Sequence, residues 1–144
     1  MKVSEALTQV ASLPYLAVGG DCTLEEISDR IKDQRQARGI YVVDAEGRLI
    51  GTVSLGVLIR HLTAARRQPV FHVRSLLSRL TSAQVVDLMD KHVLYAQPED
   101  DLQEVLDRMI RSNIKEVPVV DQDRRIMAVL SLLDLWRLVG AAPG

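Results

Sequence analysis

The sequence predicts an α/β (α+β) protein built from two copies of one β-α-β-β-α unit, and three observations carry that reading. Ile40-Tyr41-Val42-Val43-Asp44 is echoed by Val117-Pro118-Val119-Val120-Asp121, with the two aspartates 77 residues apart. The same offset links Leu49-Ile50 to Ile126-Met127, Gly51 to Ala128, Val53 to Leu130 and Ser54 to Ser131. Upstream, Asp29-Arg30-Ile31 is matched by Asp107-Arg108-Met109 at an offset of 78, so the first copy carries one extra residue between helix and strand, where a loop absorbs it.

Each copy opens with a short apolar segment, Tyr15 to Val18 and Val93 to Ala96, followed by Gly19-Gly20 in one and Pro98 in the other, which ends a strand. Helical spacing follows in Leu24, Ile27 and Ile31, and in Leu102, Val105, Leu106, Met109 and Ile110, the second set fitting i, i+3, i+4, i+7, i+8. Thr23 suits an N-cap, and Glu99-Asp100-Asp101 stands where the helix dipole favours negative charge. Two β-branched runs come next, joined by Asp44-Ala45-Glu46-Gly47 or Asp121-Gln122-Asp123-Arg124, both suited to a tight turn. A second helix closes each copy on Leu55, Leu58, Ile59 and Leu62, or on Leu132, Leu135, Trp136 and Val139. The expected division is a first unit over 1–68 (repeat core about 14–62), a connector over 69–90 and a second unit over 91–144 (core about 91–140). An apolar helical stretch from Val85 to Met89 is expected to lead into the second unit.

Composition narrows the function. Eighteen basic and nineteen acidic residues leave a formal charge of -1, and five aromatics offer little stacking, so no nucleic-acid partner is expected. No apolar run is long enough to span a bilayer, so no membrane insertion is expected. The lone Cys22 allows no intrachain disulfide and suits a reducing, cytoplasmic setting.

Catalytic constellations are thin. His61, His72 and His92 lack the close spacing of helical metal pairs, and no metal site is expected. Gly51 and Gly56 have the spacing of a phosphate loop, but Val57-Leu58 stands where its Lys-Ser/Thr would be, removing the phosphate cation and the magnesium ligand. The chain is read as a non-enzyme with no catalytic residue and no obligatory cofactor.

The repeated unit, with Val-Pro-Val-Val-Asp, an apolar strand and then Ser-x-x-Asp, resembles the CBS (cystathionine-β-synthase-type) domain pair, or Bateman module, in its stand-alone bacterial form. The resemblance implies two units packed with pseudo-twofold symmetry and a regulatory role, with an adenosine-containing ligand (AMP, ADP, ATP or S-adenosylmethionine) in the cleft between them. It assigns Asp134 to the ribose hydroxyls, which two carboxylate oxygens can meet at once. It also implies ligand contacts at Ser131, Lys115, Val117, Pro118 and Ala96. Spacing alone gives Ser131 and Asp134 another reading, as a helix cap. The first copy keeps Ser54 but has Val57 for Asp134 and Tyr41 for Pro118, so at most one strong nucleoside site per chain is expected. The acid-free stretch from Arg60 to Arg79 supplies candidate phosphate contacts in Arg66, Arg67, His72 and Arg74. Family precedent further implies a homodimer and an unidentified regulated protein. The alternative roles are a ligand-free oligomerisation or interaction module and a divalent-cation sensor, the latter drawing on the acids from Asp87 to Asp107.

Overall fold

The structure, a computed structural model, describes residues 1–33, 39–66 and 84–141. In chain order its elements are α1 (Val3–Leu7), β1 (Tyr15–Gly19), α2 (Leu24–Asp33), β2 (Gly39–Val43), β3 (Leu49–Val53), α3 (Leu55–Arg66), a 3-10 turn (Val85–Asp87), α4 (Leu102–Arg111), β4 (Glu116–Val120), β5 (Ile126–Ser131) and α5 (Leu132–Ala141). The first repeat shows the β-α-β-β-α order in full and the second shows α-β-β-α, with helices and strands mixed as an α+β fold.

In the first repeat, β1 runs parallel to β2 from Tyr15 opposite Gly39 to Gly19 opposite Val43, and β3 lies on the other side of β2. Alternation sends Leu16 and Val18, Ile40 and Val42, and Val53 into one core with Leu24 and Ile27 of α2 and Leu58 of α3. Thr23 Oγ1 accepts the Glu26 N–H at 3.2 Å and caps α2 as its sequence position predicts.

In the second repeat, β4 and β5 pair antiparallel, with a register shift between Val119 and Val120. Leu102, Val105, Leu106 and Met109 of α4 pack with Val117, Val119, Leu130 and Leu135. Asp101 caps α4 through the Glu104 N–H at 3.2 Å. The expected first strand, Val93 to Ala96, is reduced to one bridge, Ala96 beside Val119. Ala96 donates to the Pro118 carbonyl at 2.9 Å and accepts from Val120 at 2.8 Å. The next rung of a parallel ladder would need an N–H from Pro118, which proline lacks. Tyr41 stands at this position in the first repeat and keeps that donor, so pairing there runs the full strand.

The compact units are not contiguous in sequence. One holds Met1–Leu13, Gly47–Leu49 and the chain from Leu94 onward; the other holds Pro14–Glu46 and Ile50–Val93. The segment ahead of each repeat therefore belongs to the other repeat's unit, and it is bound there by matching hydrogen bonds. Val3 donates to Asp100 at 2.9 Å and Ser4 to Pro98 at 2.9 Å. Val85 donates to Cys22 at 2.8 Å and Val86 to Gly20 at 3.1 Å. Both carbonyl pairs are separated by the repeat offset of 78, and the donor pairs lie 82 apart. Farther along the arms, Ser12 Oγ accepts the Val129 N–H at 2.9 Å, while Asp90 exchanges backbone bonds with Thr52, the counterpart of Val129. Val3 and Ala6 are buried in the second-repeat core, and Val85 in the first. The expected boundaries at 68 and 90 place the first arm with the repeat that follows it and the second arm in the connector; burial of these apolar side chains and satisfaction of exposed backbone edges place each in the other repeat's unit. The Val85 stretch likewise forms a 3-10 turn within the first-repeat unit rather than a helix leading into the second.

The apolar faces of the closing helices are wider than their cores require. Leu58 and Leu135 are buried as expected, but Leu55, Ile59 and Trp136 are exposed, as are Leu133 and Ile110. The Leu62 side chain lies outside the described residues. Among the described residues no polar or charged side chain is buried.

Candidate functional site

The β5-to-α5 junction begins with a cap. Ser131 Oγ accepts the Asp134 backbone N–H at 3.0 Å, satisfying one of the donors that every helix start leaves open. Ser54 does the same for Val57 at 3.1 Å in the first repeat. Ser131 is thus a cap, as its spacing allowed, and Ser54 is one too, but the capping does not extend to the aspartate. The Asp134 carboxylate reaches back to no backbone amide and has no ion-pair partner among the described residues. It is half-buried in the first turn of α5, where the helix dipole favours its charge.

Lys115 comes to the same place by backbone geometry. Its carbonyl accepts the Leu132 N–H at 2.8 Å, which ties the entry of β4 to the start of α5, and its side chain is exposed. Glu116 stands directly opposite Ser131 in the β4–β5 register, so the two side chains leave the same face of the pair. The repeat comparison gave Glu116 no prominence; only the strand register identifies it. This end of the repeat thus brings the backbone of Lys115 to the helix start that carries the Ser131 hydroxyl and the Asp134 carboxylate.

The other sequence candidates divide differently. Val117 and Ala96 are buried in the core of their own unit, so Val117 offers a ligand backbone rather than side chain, and the Ala96 N–H and carbonyl are already taken by β4. Pro118 is buried with its carbonyl bound to Ala96. Arg66 ends α3 with its side chain outside the described residues, where Arg67, His72 and Arg74 also lie.

In the first repeat the carboxylate position holds Val57, which has no acceptor. Tyr41 at the proline position is buried and packs edge-on against Tyr15, the ring centroids 6.0 Å apart at 77°. Cys22 is buried in that core. Desolvation first, and then the neighbouring Glu26 carboxylate, push its thiol up to about 11, which makes it a poor nucleophile. Among the described residues no cluster of three or more histidine, cysteine or acidic side chains could hold a metal ion.

The sequence matches the CBS domain over residues 5–64 and 85–135, most of the chain and one block for each repeat. The chain belongs to the CBS domain family. Its two CBS repeats are 27% identical over 131 residues to the magnesium transporter MgtE of Thermus thermophilus, covering 88% of this chain and 25% of that protein. They are 24% identical over 135 residues to the inosine-5′-monophosphate dehydrogenase of Nitrosopumilus maritimus, covering 94% and 24%. The chain spans between 16% and 25% of the length of the curated relatives it matches.

Solved CBS structures share the fold. A CBS domain-containing protein from Thermotoga maritima superposes with a TM-score of 0.68 at 28% identity, covering 99% of this chain and 96% of that one. The cytosolic domain of the Mg²⁺ channel MgtE, in complex with ATP, gives 0.69 at 25% identity over 93% and 52%. The CBS domain pair of protein MJ0100, in complex with 5′-methylthioadenosine and S-adenosyl-L-methionine, gives 0.67 at 20% identity over 97% and 96%.

Proposed function

We infer that this CBS pair is a non-catalytic regulatory module whose second repeat holds an adenosine-containing ligand, with Asp134 accepting hydrogen bonds from the ribose hydroxyls. The observation that carries this reading is the Asp134 carboxylate, half-buried beside a cap that it does not itself serve. A carboxylate so placed has four lone-pair directions to offer and no described side chain to offer them to. Ser131 caps the same turn, the Lys115 carbonyl is tied to the start of that helix, and the backbone of Val117 and Pro118 continues the strand along which the base would lie. Solved CBS pairs of this fold carry ATP in one case and S-adenosyl-L-methionine with 5′-methylthioadenosine in another, which supports the ligand class.

The test is a thermal-shift panel of AMP, ADP, ATP, S-adenosylmethionine, NAD and Mg²⁺. Stabilisation by one or more adenosine compounds is expected, because a ligand that binds only the folded state raises its melting temperature by mass action. Silence from all of them at millimolar concentration sinks the reading and leaves the ligand-free interaction module. A response to Mg²⁺ alone selects the divalent-cation sensor instead.

A homodimer belongs to the same proposal. Leu133 and Trp136 are 57% and 61% exposed on α5, and Leu55 and Ile59 are 50% and 53% exposed on α3. Large apolar side chains exposed at helical spacing are the surface that association buries. Among the described residues no helix is long and apolar enough to cross a membrane. We place the protein in the cytoplasm, where a free Cys22 is at home.

A further inference from the structure

The two crossing arms put different side chains at equivalent positions, and the counterparts of the residues that Val86 covers in one unit line an open hollow in the other. In the first-repeat unit, Val86 donates its N–H to Gly20 and lays its side chain over it. A Cβ at Gly20 would stand 3.5 Å from Val86 Cβ, 3.7 Å from its Cγ2 and 3.9 Å from Ile50 Cδ1, so valine and isoleucine close this corner together. In the second-repeat unit the matching bond runs from Ser4 to Pro98. Pro98 is the counterpart of Gly20, and Met127 that of Ile50. Ser4 is exposed and has no methyl groups to bring to the corner. Met127 is left half exposed, and beside it lies a hollow of about 380 Å³ walled on its apolar side by Pro98 and Met127.

The rim of this hollow is acidic. Glu99, Asp121 and Asp123 line it. Asp121 Oδ1 is engaged by the Asp123 and Arg125 backbone amides at 2.9 and 3.0 Å, which hold the turn but leave its charge in place. Glu99 and Asp123 have no ion-pair partner among the described residues. The cations of the same turn are directed elsewhere: Arg124 lies 5.1 Å over the Tyr95 ring, and Arg125 Nε would stand 3.8 Å from a Cβ at Gly47. Arg108 is turned to Asp100 at 3.6 Å.

The geometry points to a docking slot for a short segment of a partner protein, one that inserts a valine-sized apolar side chain between Pro98 and Met127 and carries lysine or arginine beside it. The first repeat provides the precedent, since Val86 fills the equivalent corner from the 3-10 turn of the crossing arm. The acidic rim selects cationic neighbours, which it also draws in from a distance. The slot lies at the turn end of the β4–β5 hairpin, opposite the end that bears Ser131 and Asp134. It rests on the regulatory reading only for the existence of a partner, and Asp134→Ala is expected to leave it intact.

The experiment titrates ¹⁵N-labelled protein with acetyl-Lys-Val-Arg-amide, acetyl-Lys-Ser-Arg-amide and acetyl-Glu-Val-Glu-amide at millimolar concentration, without nucleotide, and follows the backbone amides. The valine-centred cationic peptide is expected to shift Gln97, Glu99, Asp123 and Met127, and to bind at least about tenfold more tightly than either control. Ser4→Val, which supplies the missing methyl groups from the chain's own arm, is expected to abolish these shifts. Glu99→Gln with Asp123→Asn, which leaves the apolar wall in place, is expected to remove the preference for the cationic peptide. The proposal is overturned if no peptide shifts these amides, if the serine peptide acts like the valine peptide, or if Ser4→Val binds unchanged. It is equally overturned if the same amides shift on concentrating the protein alone, which would make the occupant a second copy.

Discussion

Val85 donates its backbone N–H to the Cys22 carbonyl at 2.8 Å, and 82 residues earlier Val3 makes the same bond to Asp100 at 2.9 Å. Each repeat is therefore completed by the segment that precedes the other, and each valine is buried in a core formed mostly by distant sequence. Val85→Ala is expected to destabilise the protein by about 2 kcal/mol, from lost burial plus the cavity left behind. Urea denaturation read by tryptophan fluorescence and by circular dichroism measures it. A change within about 0.5 kcal/mol, the range of an ordinary surface substitution, would mean that the arm is not anchored there.

Gly51 is held small by the same arm. A Cβ at this position would overlap Met89 Sδ and lie 2.9 Å from its Cγ and 3.1 Å from the Asp90 carbonyl. Gly51→Ala is expected to cost about 1–3 kcal/mol through overpacking. Met89→Ala in the same chain should recover part of that loss, so a double-mutant cycle would give a coupling of about 0.5 kcal/mol or more. Strict additivity would count against the contact.

Gly47 and Arg124 occupy the same turn position in the two repeats, both in the left-handed region, at φ of 83° and 63°. Glycine enters that region without strain and arginine does not. Gly47→Ala is expected to destabilise by about 1 kcal/mol. Arg124→Gly gains a similar amount but gives up the contact over Tyr95, worth about 0.5–1 kcal/mol, so the net change should be close to zero. Melting temperatures of the two variants decide it, and the prediction fails if both fall equally.

The Cys22 thiol, raised from 9.0 to about 11, links stability to pH. The unfolded chain loses this proton first, so below about pH 9 the group contributes no pH dependence, and between 9 and 11 stability falls as pH rises. Cys22→Ala should flatten that part of the profile. Alkylation by iodoacetamide at pH 8 should be slow in native buffer and rapid in urea. Equal rates would show that the thiol is not shielded.

The repeat, the four helices it contains and two of their caps were legible because they rest on local chemistry: apolar spacing at 3.6 residues, and Thr23 and Ser131 at helix starts. The loss of a strand at Val93 to Ala96 was also written in the sequence, at Pro118, but only the ladder geometry shows which rung the missing N–H removes. The crossing arms were not legible. Lys2-Val3-Ser4 and Gln84-Val85-Val86 share one residue, and their pairing is made by backbone atoms, which leave no composition signal. Leu55, Ile59 and Trp136 fit a buried helical stripe by period, yet period alone does not say how wide a stripe the core covers. At the candidate site, spacing left Ser131 and Asp134 open between cap and ligand. The structure assigns the cap to Ser131 and leaves the Asp134 carboxylate without a described partner.

That division of labour makes the ribose clamp measurable. Ser131→Ala is expected to cost about 0.5–2 kcal/mol of stability as a lost cap, whereas Asp134→Ala, which breaks no described side-chain hydrogen bond, should cost no more than about 1 kcal/mol. The decisive measurement is calorimetric titration of wild type and Asp134→Ala with the adenosine compound that stabilises best in the panel, and with its 2′-deoxy form. Wild type is expected to prefer the ribose form by about tenfold or more, the worth of a hydrogen bond to a charged group, and Asp134→Ala to lose that preference. Equal affinity of wild type for the two forms, or a preference that survives in Asp134→Ala, would contradict the assignment of Asp134 to the ribose.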